Sequence, residues 1–379
     1  MKSAALIIFL SLFVPRTFSQ SYPVFGPEIK VKIIGLSFDA MEPFISLDGN
    51  TLFFNSLNSG GNTNLYYATR VNDSTFNYVG LVSGTYDPSA NHLDGVPSLD
   101  SASNFFWVSL RNFPNLHRGK YLAANVSGIT RTFGDFNILS PGWIIMDAAI
   151  SYQGNLLYYC NAYFGPTYTE CIGVPCKARM GVAQKVNDST FNKLSNSEAL
   201  FYNINDSNYV VYAPQVTKDG LELYYTRLLK NTTNTEICVS VRNNVNDTFS
   251  LPLVIHSNPG LLPEAASISS DKQKIYYHQK NSNGIFNICL RYRSIATGIQ
   301  EQDATRRLHV YPNPAAHFIN IDLVDSGEKA TAILFSPLGQ ELFKTAVDTT
   351  LDVSKLPAGI YFLKIIQAHR SWTTKLIKE

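Results

Sequence analysis

Short apolar runs broken by polar turns alternate along most of the chain, and one arrangement of them returns five times. A small or hydroxyl residue is followed two positions later by Asp or Gln, often then Gly, with two aromatics five and six places further on. It reads Ser46, Asp48, Gly49, Phe53, Phe54, then Ser98, Asp100, Phe105, Phe106, then Ser151, Gln153, Gly154, Tyr158, Tyr159. It returns as Thr217, Asp219, Gly220, Tyr224, Tyr225 and as Ser269, Asp271, Tyr276, Tyr277. The turn positions 48, 100, 153, 219 and 271 stand 52, 53, 66 and 52 residues apart. Such a period marks a repeat architecture.

Each unit begins as a β-hairpin. Asp-Gly between apolar runs supplies the positive φ of a tight turn, and the aromatic run after it suits a strand. In the first unit a Gly/Asn loop, Asn58–Thr63, leads to a further strand, Leu65–Ala68. A second marker, Val71–Asn77, recurs letter for letter as Val186–Asn192 and loosely as Val245–Phe249. Four short strands per unit predict propeller blades. The segment Glu28–Ile34 is a strand without a hairpin partner, and the fifth unit lacks its last strand, so the amino-terminal strand is expected to complete the fifth blade. The fold class is therefore all-β, a five-bladed β-propeller with six blades as the alternative.

The stretches Glu42–Phe54 and Pro214–Tyr225 resemble the TolB-like β-propeller repeat, over roughly residues 40–293. The second and fifth units depart from it with Ser101 and Lys272 at the turn Gly, and the third with Gln153 for Asp. The resemblance implies a scaffold for protein or ligand contact and no single chemistry.

After Arg293 the chain changes character. Residues 294–307 are polar and aperiodic and read as a linker. From Leu308 about seven short strand-like runs predict a small Ig-like β-sandwich. Its opening Tyr311-Pro312-Asn313-Pro314-Ala315, the stretch carrying Leu356, Gly359, Ile360 and Tyr361, and the last strand with Lys375 and Lys378 closely resemble the C-terminal sorting domain of the type IX (Por) secretion system. The resemblance implies a Bacteroidota-type bacterium, passage across the outer membrane with the type IX machinery as partner, and removal of the tail. The domain division is then 1–19 signal peptide, 20–293 propeller, 294–307 linker and 308–379 sorting domain.

Composition agrees with export. Lys2, the apolar stretch Ala4–Val14 and the small residues of Thr17–Ser19 read as a secretory signal peptide. Hydrophobic residues make up 45% of the 379 positions and charged residues 16%, enough for a sizeable core. The net charge of +2 with no clustered basic face argues against a nucleic-acid partner. An oxidising compartment permits disulfides, and Cys160, Cys171 and Cys176 cluster in the third repeat, which also carries an insertion. Cys160 with Cys171 or Cys176 is the preferred pairing, pinning the extra loop. Cys238 and Cys289, one repeat apart, read as small core residues.

Catalytic patterns are sparse. There is no Gly-x-Ser-x-Gly elbow, His-Glu-x-x-His, phosphate loop or dinucleotide fingerprint. The seven histidines (92, 117, 256, 278, 309, 317, 369) show no ligand spacing and read as surface or loop residues. The Asn-x-Ser/Thr tripeptides at Asn72, Asn125, Asn187, Asn205, Asn231 and Asn246 read as turn closers. No cofactor and no metal is implied. One constellation stands out. Six residues before the turn position stand Glu42, Asp94 and Asp147 in the first three units and Ala213 and Ala265 in the others, with Glu264 one place off. These positions begin the strand that lines a propeller channel. The carboxylates either serve glycoside hydrolysis or cation binding, or accept backbone hydrogens at a strand start. The sequence favours a secreted or surface binding propeller for a glycan, peptide or protein, with an extracellular glycoside hydrolase or a structural envelope protein as the alternatives.

Overall fold

The computed structural model describes residues 21–294 and 309–379, apart from 59–61, 87–92, 110–114, 172–173, 323–329, 338 and 368–369. The signal segment, the linker beyond Ser294, His92 and His369 lie outside the described residues. The chain forms two compact units, residues 1–295 and 296–379. Both are β structures; among the described residues the one α-helix is the four-residue Ser197–Leu200.

The first unit holds five sheets, each beginning with an innermost strand: Met41–Ile45, Asp94–Leu99, Trp143–Ile150, Tyr209–Val216 and Glu264–Ile268. From each, the next strands follow outward in chain order and antiparallel, as in the first sheet with Thr51–Asn55, Leu65–Asn72 and Thr75–Leu81. The innermost strands touch in a closed circuit, first to second and on to the fifth, which touches the first. This is a propeller-like arrangement. Adjacent residues of a strand point to opposite faces, so paired aromatics bury both faces of a sheet at once. Phe53 packs with Phe105 and Trp107 of the second sheet, and Phe54 packs with Tyr276 and Leu290 of the fifth. Five apolar clusters fill the five spaces between neighbouring sheets. The second marker supplies anchors to this packing: Phe76, Phe191 and Phe249 are all fully buried.

The fifth sheet is completed by the amino-terminal chain, differently from expectation. Val24–Phe25 and Ile29–Lys30 pair with Phe286–Ser294, whereas Lys32–Ile34 crosses over and pairs in parallel with Thr75–Leu81 of the first sheet. Val31 marks the crossing. Its N–H bonds Ile288 O at 2.9 Å and its side chain is buried between the two sheets, while the next N–H, of Lys32, bonds Ser74 O at 2.8 Å. One expected strand is thus split across a seam.

The register of the second repeat also differs. The hairpin turns superpose on Ser46, Asp100, Ser151, Thr217 and Ser269, each followed three places later by a residue with positive φ: Gly49, Ser103, Gly154, Gly220 and Lys272. Asp100 therefore stands where the other turns have Ser or Thr, and its Oδ1 accepts the Ala102 and Asn104 N–H groups. Ser98-Leu99-Asp100 imitates the motif two residues too early.

The second unit packs a three-stranded sheet (His309–Tyr311, Phe318–Asp322, Thr350–Asp352) and a four-stranded sheet (Glu341–Val347, Ala330–Phe335, Gly359–Gln367, Arg370–Lys378) around one core that includes Ile319, Leu334, Leu363 and Leu376.

Candidate functional site

Every innermost strand carries a β-bulge. In four sheets the bulge includes a non-glycine residue with positive φ: Glu42 (50°), Val96 (55°), Ala213 (51°) and Ala265 (52°). A bulge leaves a backbone N–H without a ladder partner. Each of these four is satisfied from the preceding sheet. Glu42 N–H donates to His278 Nδ1 at 3.0 Å and Val96 N–H to Glu42 Oε2 at 3.0 Å. Ala213 N–H donates to Asp147 Oδ2 at 3.1 Å and Ala265 N–H to Thr226 Oγ1 at 2.9 Å. The clasps run round the ring, from sheet to sheet.

The positions Glu42, Val96, Asp147, Ala213 and Ala265 therefore share one level. Asp94 lies two residues away from it, because of the second repeat's register. It is buried and accepts the Trp107 indole N–H at 3.2 Å. Glu264, one residue before the level, joins the group that Asp94 leaves.

Below this level Pro43, Pro97, Ala149, Pro214 and Ala266 close around the axis, leaving a void of only about 20 Å³. On the other side of the bulges the axis widens into a cavity of about 500 Å³, lined by Glu42, Asp147, Tyr212 and Glu264 from four sheets. Glu42 Oε1 accepts Asn58 Nδ2 at 2.9 Å, so both of its oxygens are engaged. The Tyr212 hydroxyl donates to Glu264 Oε1 at 2.8 Å, and His278 Nε2 lies 3.5 Å from Glu264 Oε2. Burial, reinforced by Glu42 and Glu264 and opposed by the Ala213 N–H, pushes the Asp147 carboxyl up to about 8. Burial also raises Glu42, against the pull of His278 and its two hydrogen-bond donors. Clustered carboxyls out of water favour the protonated form.

His278 is fully buried, and His117 stacks on Trp107 with ring centroids 5.5 Å apart, so neither is the surface histidine expected from sequence. Only the tertiary fold brings His278, on the fifth sheet, against Glu42 on the first.

The cysteines also differ from expectation. Cys171 and Cys176 form the disulfide, with Cα atoms 5.5 Å apart. Cys160 is a free thiol buried on the strand Leu156–Tyr163, where it faces the core between the third and fourth sheets and donates to Val211 O. It belongs with Cys238 and Cys289, which are likewise buried and free. The disulfide loop adjoins the cavity: Phe164, Val174 and Pro175 form part of its wall.

In the second unit the motif residues lock the opening segment to the last strand. Asn313 donates through Nδ2 to Lys375 O at 2.7 Å and accepts the Ile377 N–H at 2.8 Å. Ala315 N–H bonds Ile377 O, and Glu379 N–H bonds Ala315 O. The Tyr361 hydroxyl donates to Pro357 O at 2.8 Å across the turn before Gly359. Lys375 is exposed, and Lys378 is buried with its ammonium on Glu379 O. Tyr311 stands half exposed beside Pro312 and Pro314.

Residues 309–379 match the secretion system C-terminal sorting domain. That tail marks the protein for export to the cell surface or secretion, and implies contact with the type IX machinery. No curated protein matches the chain. Among solved structures, one described as a glycoside hydrolase aligns with a TM-score of 0.51 at 11% identity, covering 74% of this chain and 95% of that one. Zg3597, a family 117 glycoside hydrolase of Zobellia galactanivorans, aligns at 0.46 and 13%, covering 74% and 96%. An endo-arabinase of Bacteroides thetaiotaomicron aligns at 0.44 and 14%, covering 71% and 98%. At such identities the likeness concerns the fold alone, and it rests on the first of the three.

Proposed function

We propose that the chain is an exported five-bladed propeller, of the TolB-like repeat type, that binds a ligand in the cavity above the bulges. Residues 1–19 serve as its signal peptide, 20–293 as the propeller, 294–307 as the linker and 308–379 as an Ig-like sorting domain. The supporting observation is where the one long repeat spends its extra residues. The third interval is 66 residues against 52 or 53 in the others, and the added loop, held by Cys171–Cys176, walls the cavity with Val174 and Pro175. Loops raised on a rigid scaffold are where binding residues concentrate.

Glycoside hydrolysis is the second reading, favoured by Asp147, whose carboxyl stays protonated near neutral pH as a general acid requires. Against it, Glu42 has both oxygens committed to the protein, and most of the cavity lining is apolar.

A thermal-shift screen of saccharides, peptides and amines tests the proposal, with Val174→Arg as the blocking variant; Val174 is 47% exposed, so the change leaves the core intact. Ligands that raise the melting temperature of the wild type but not of the variant support binding in the cavity. Ligands that act equally on both overturn it. Reducing ends released from a polysaccharide by the wild type, and not by Asp147→Asn, establish the hydrolase instead.

A further inference from the structure

The cavity lining has an unusual balance of charge. Among the described residues, three carboxyl groups face it, from Glu42, Asp147 and Glu264, and no lysine, arginine or histidine does. The remainder is mainly aliphatic, with Val108, Ile144, Val210, Leu228 and Leu262 among the walls. The hydrogen-bond accounting leaves acceptors over. Asp147 uses Oδ2 for the Ala213 N–H, and Glu264 uses Oε1 for Tyr212. Glu264 Oε2 takes no hydrogen bond from His278 Nε2, which is left without a partner. A separate observation lies on the fourth sheet. Thr235 lines the same cavity, is 2% exposed, and its Oγ1 has no hydrogen-bond partner. A buried hydroxyl left unpaired is costly, so the site is incomplete as it stands.

We infer that the cavity binds an alkylammonium group, its charge against Glu264 and Thr235 and its methylene stem along the aliphatic wall. The inference rests on the reading of this cavity as the ligand site. An ammonium brings three N–H donors and no acceptor, the complement of the spare oxygens in the described lining. Its stem meets the wall as a lysine stem covers apolar surface. A carboxylate ligand would meet like charge. The alkylammonium belongs either to a free amine or to a lysine side chain of a peptide.

Titration calorimetry on the full mature chain tests this with n-hexylamine, n-hexanol, hexanoate and Nα-acetyl-lysine methylamide. Hexylamine is expected to bind at least about tenfold tighter than hexanol, the worth of one charge-assisted hydrogen bond, and hexanoate not at all. Glu264→Gln keeps an acceptor for Tyr212 and removes the charge; it should cost hexylamine about tenfold and leave hexanol unchanged. Thr235→Val, nearly isosteric, should weaken hexylamine as well and serves if the first variant misfolds. Tighter binding of the lysine derivative assigns the group to a peptide, and tighter binding of hexylamine to a free amine. Hexanol binding as tightly as hexylamine overturns the inference while keeping the cavity as the ligand site. Failure of both amines to bind, while other ligands remain sensitive to Val174→Arg, also overturns it and spares that reading.

Discussion

Glu42 of the first sheet accepts the Val96 N–H of the second through Oε2, at 3.0 Å. Both residues occupy bulge positions at positive φ, where a non-glycine residue is strained by about 1 kcal/mol or more. The bulge frees the N–H and the neighbouring sheet satisfies it, so the strain and the clasp form one device. Its use in turn by His278, Glu42, Asp147 and Thr226 explains why polar side chains gather at this level.

Removing a clasp should therefore destabilise the ring. Glu42→Ala leaves the Val96 N–H and the Asn58 amide without their acceptors, at a cost of about 1–3 kcal/mol. Glu42→Gln keeps one acceptor oxygen and should recover part of that loss. Urea denaturation of the three proteins measures both differences. Equal midpoints for wild type and Glu42→Ala contradict the clasp.

Asp147 gives the ring a pH dependence of known sign. Its folded-state value of about 8 lies above the ordinary 3.8, so between these limits the folded protein holds a proton that the unfolded chain releases. Stability then falls as pH rises through this window, by up to about 1.4 kcal/mol per unit, and levels off above about 8. Asp147→Asn keeps an acceptor for Ala213 and should flatten the slope between pH 5 and 8. Denaturation midpoints at pH 5, 6, 7 and 8 decide it, and parallel profiles for the two proteins refute the assignment.

Much of the architecture is legible in the sequence because turns and paired aromatics are local signals. Asp48-Gly49 and Asp219-Gly220 announce their hairpins, and two adjacent aromatics require a sheet buried on both faces. The second repeat misleads because Ser98 and Asp100 reproduce the spacing of a turn that begins at Asp100. Glu42-Pro43, Val96-Pro97 and Ala213-Pro214 carry the true alignment, since each Pro follows the positive-φ residue. The rest of the site was not readable. Glu264 reaches the cavity one place from the repeat position, beside a bulge without the Pro that marks three others, and His278 meets Glu42 across 236 residues of sequence.

The tail makes a narrower prediction. Asn313 joins the opening segment to the last strand through two side-chain bonds, to Lys375 O and from Ile377 N–H. Asn313→Ala removes both and leaves the propeller sequence untouched. The expected result is a sorting domain weakened by about 1–2 kcal/mol, and protein retained in the periplasm of a type IX-competent host. Undiminished surface display of the variant, with the same protease resistance of the tail, contradicts the role of Asn313.

The seam between the fifth and first sheets should be the most sensitive point of the ring. The amino-terminal chain covers the edge of Phe286–Ser294 with Val24–Phe25 and Ile29–Lys30, then crosses at Val31 to the first sheet. Tyr277 and Gln279 hold Glu28 from the fifth sheet, and Arg291 holds the Gly26 carbonyl. Val31→Asp places a carboxylate among Ile45, Leu52 and Leu290, where a buried unpaired charge costs about 3 kcal/mol or more. Lys32→Asp, at an exposed neighbour, is the control and should change little. Deleting residues 21–31 goes further: it uncovers the outer edge of the fifth sheet, an unpaired strand open to another copy. The deletion should lower the denaturation midpoint and give soluble aggregates on gel filtration. A Val31→Asp protein as stable as the Lys32→Asp control, or a deletion that stays monomeric with an unchanged midpoint, overturns the role of this segment as the closing strand.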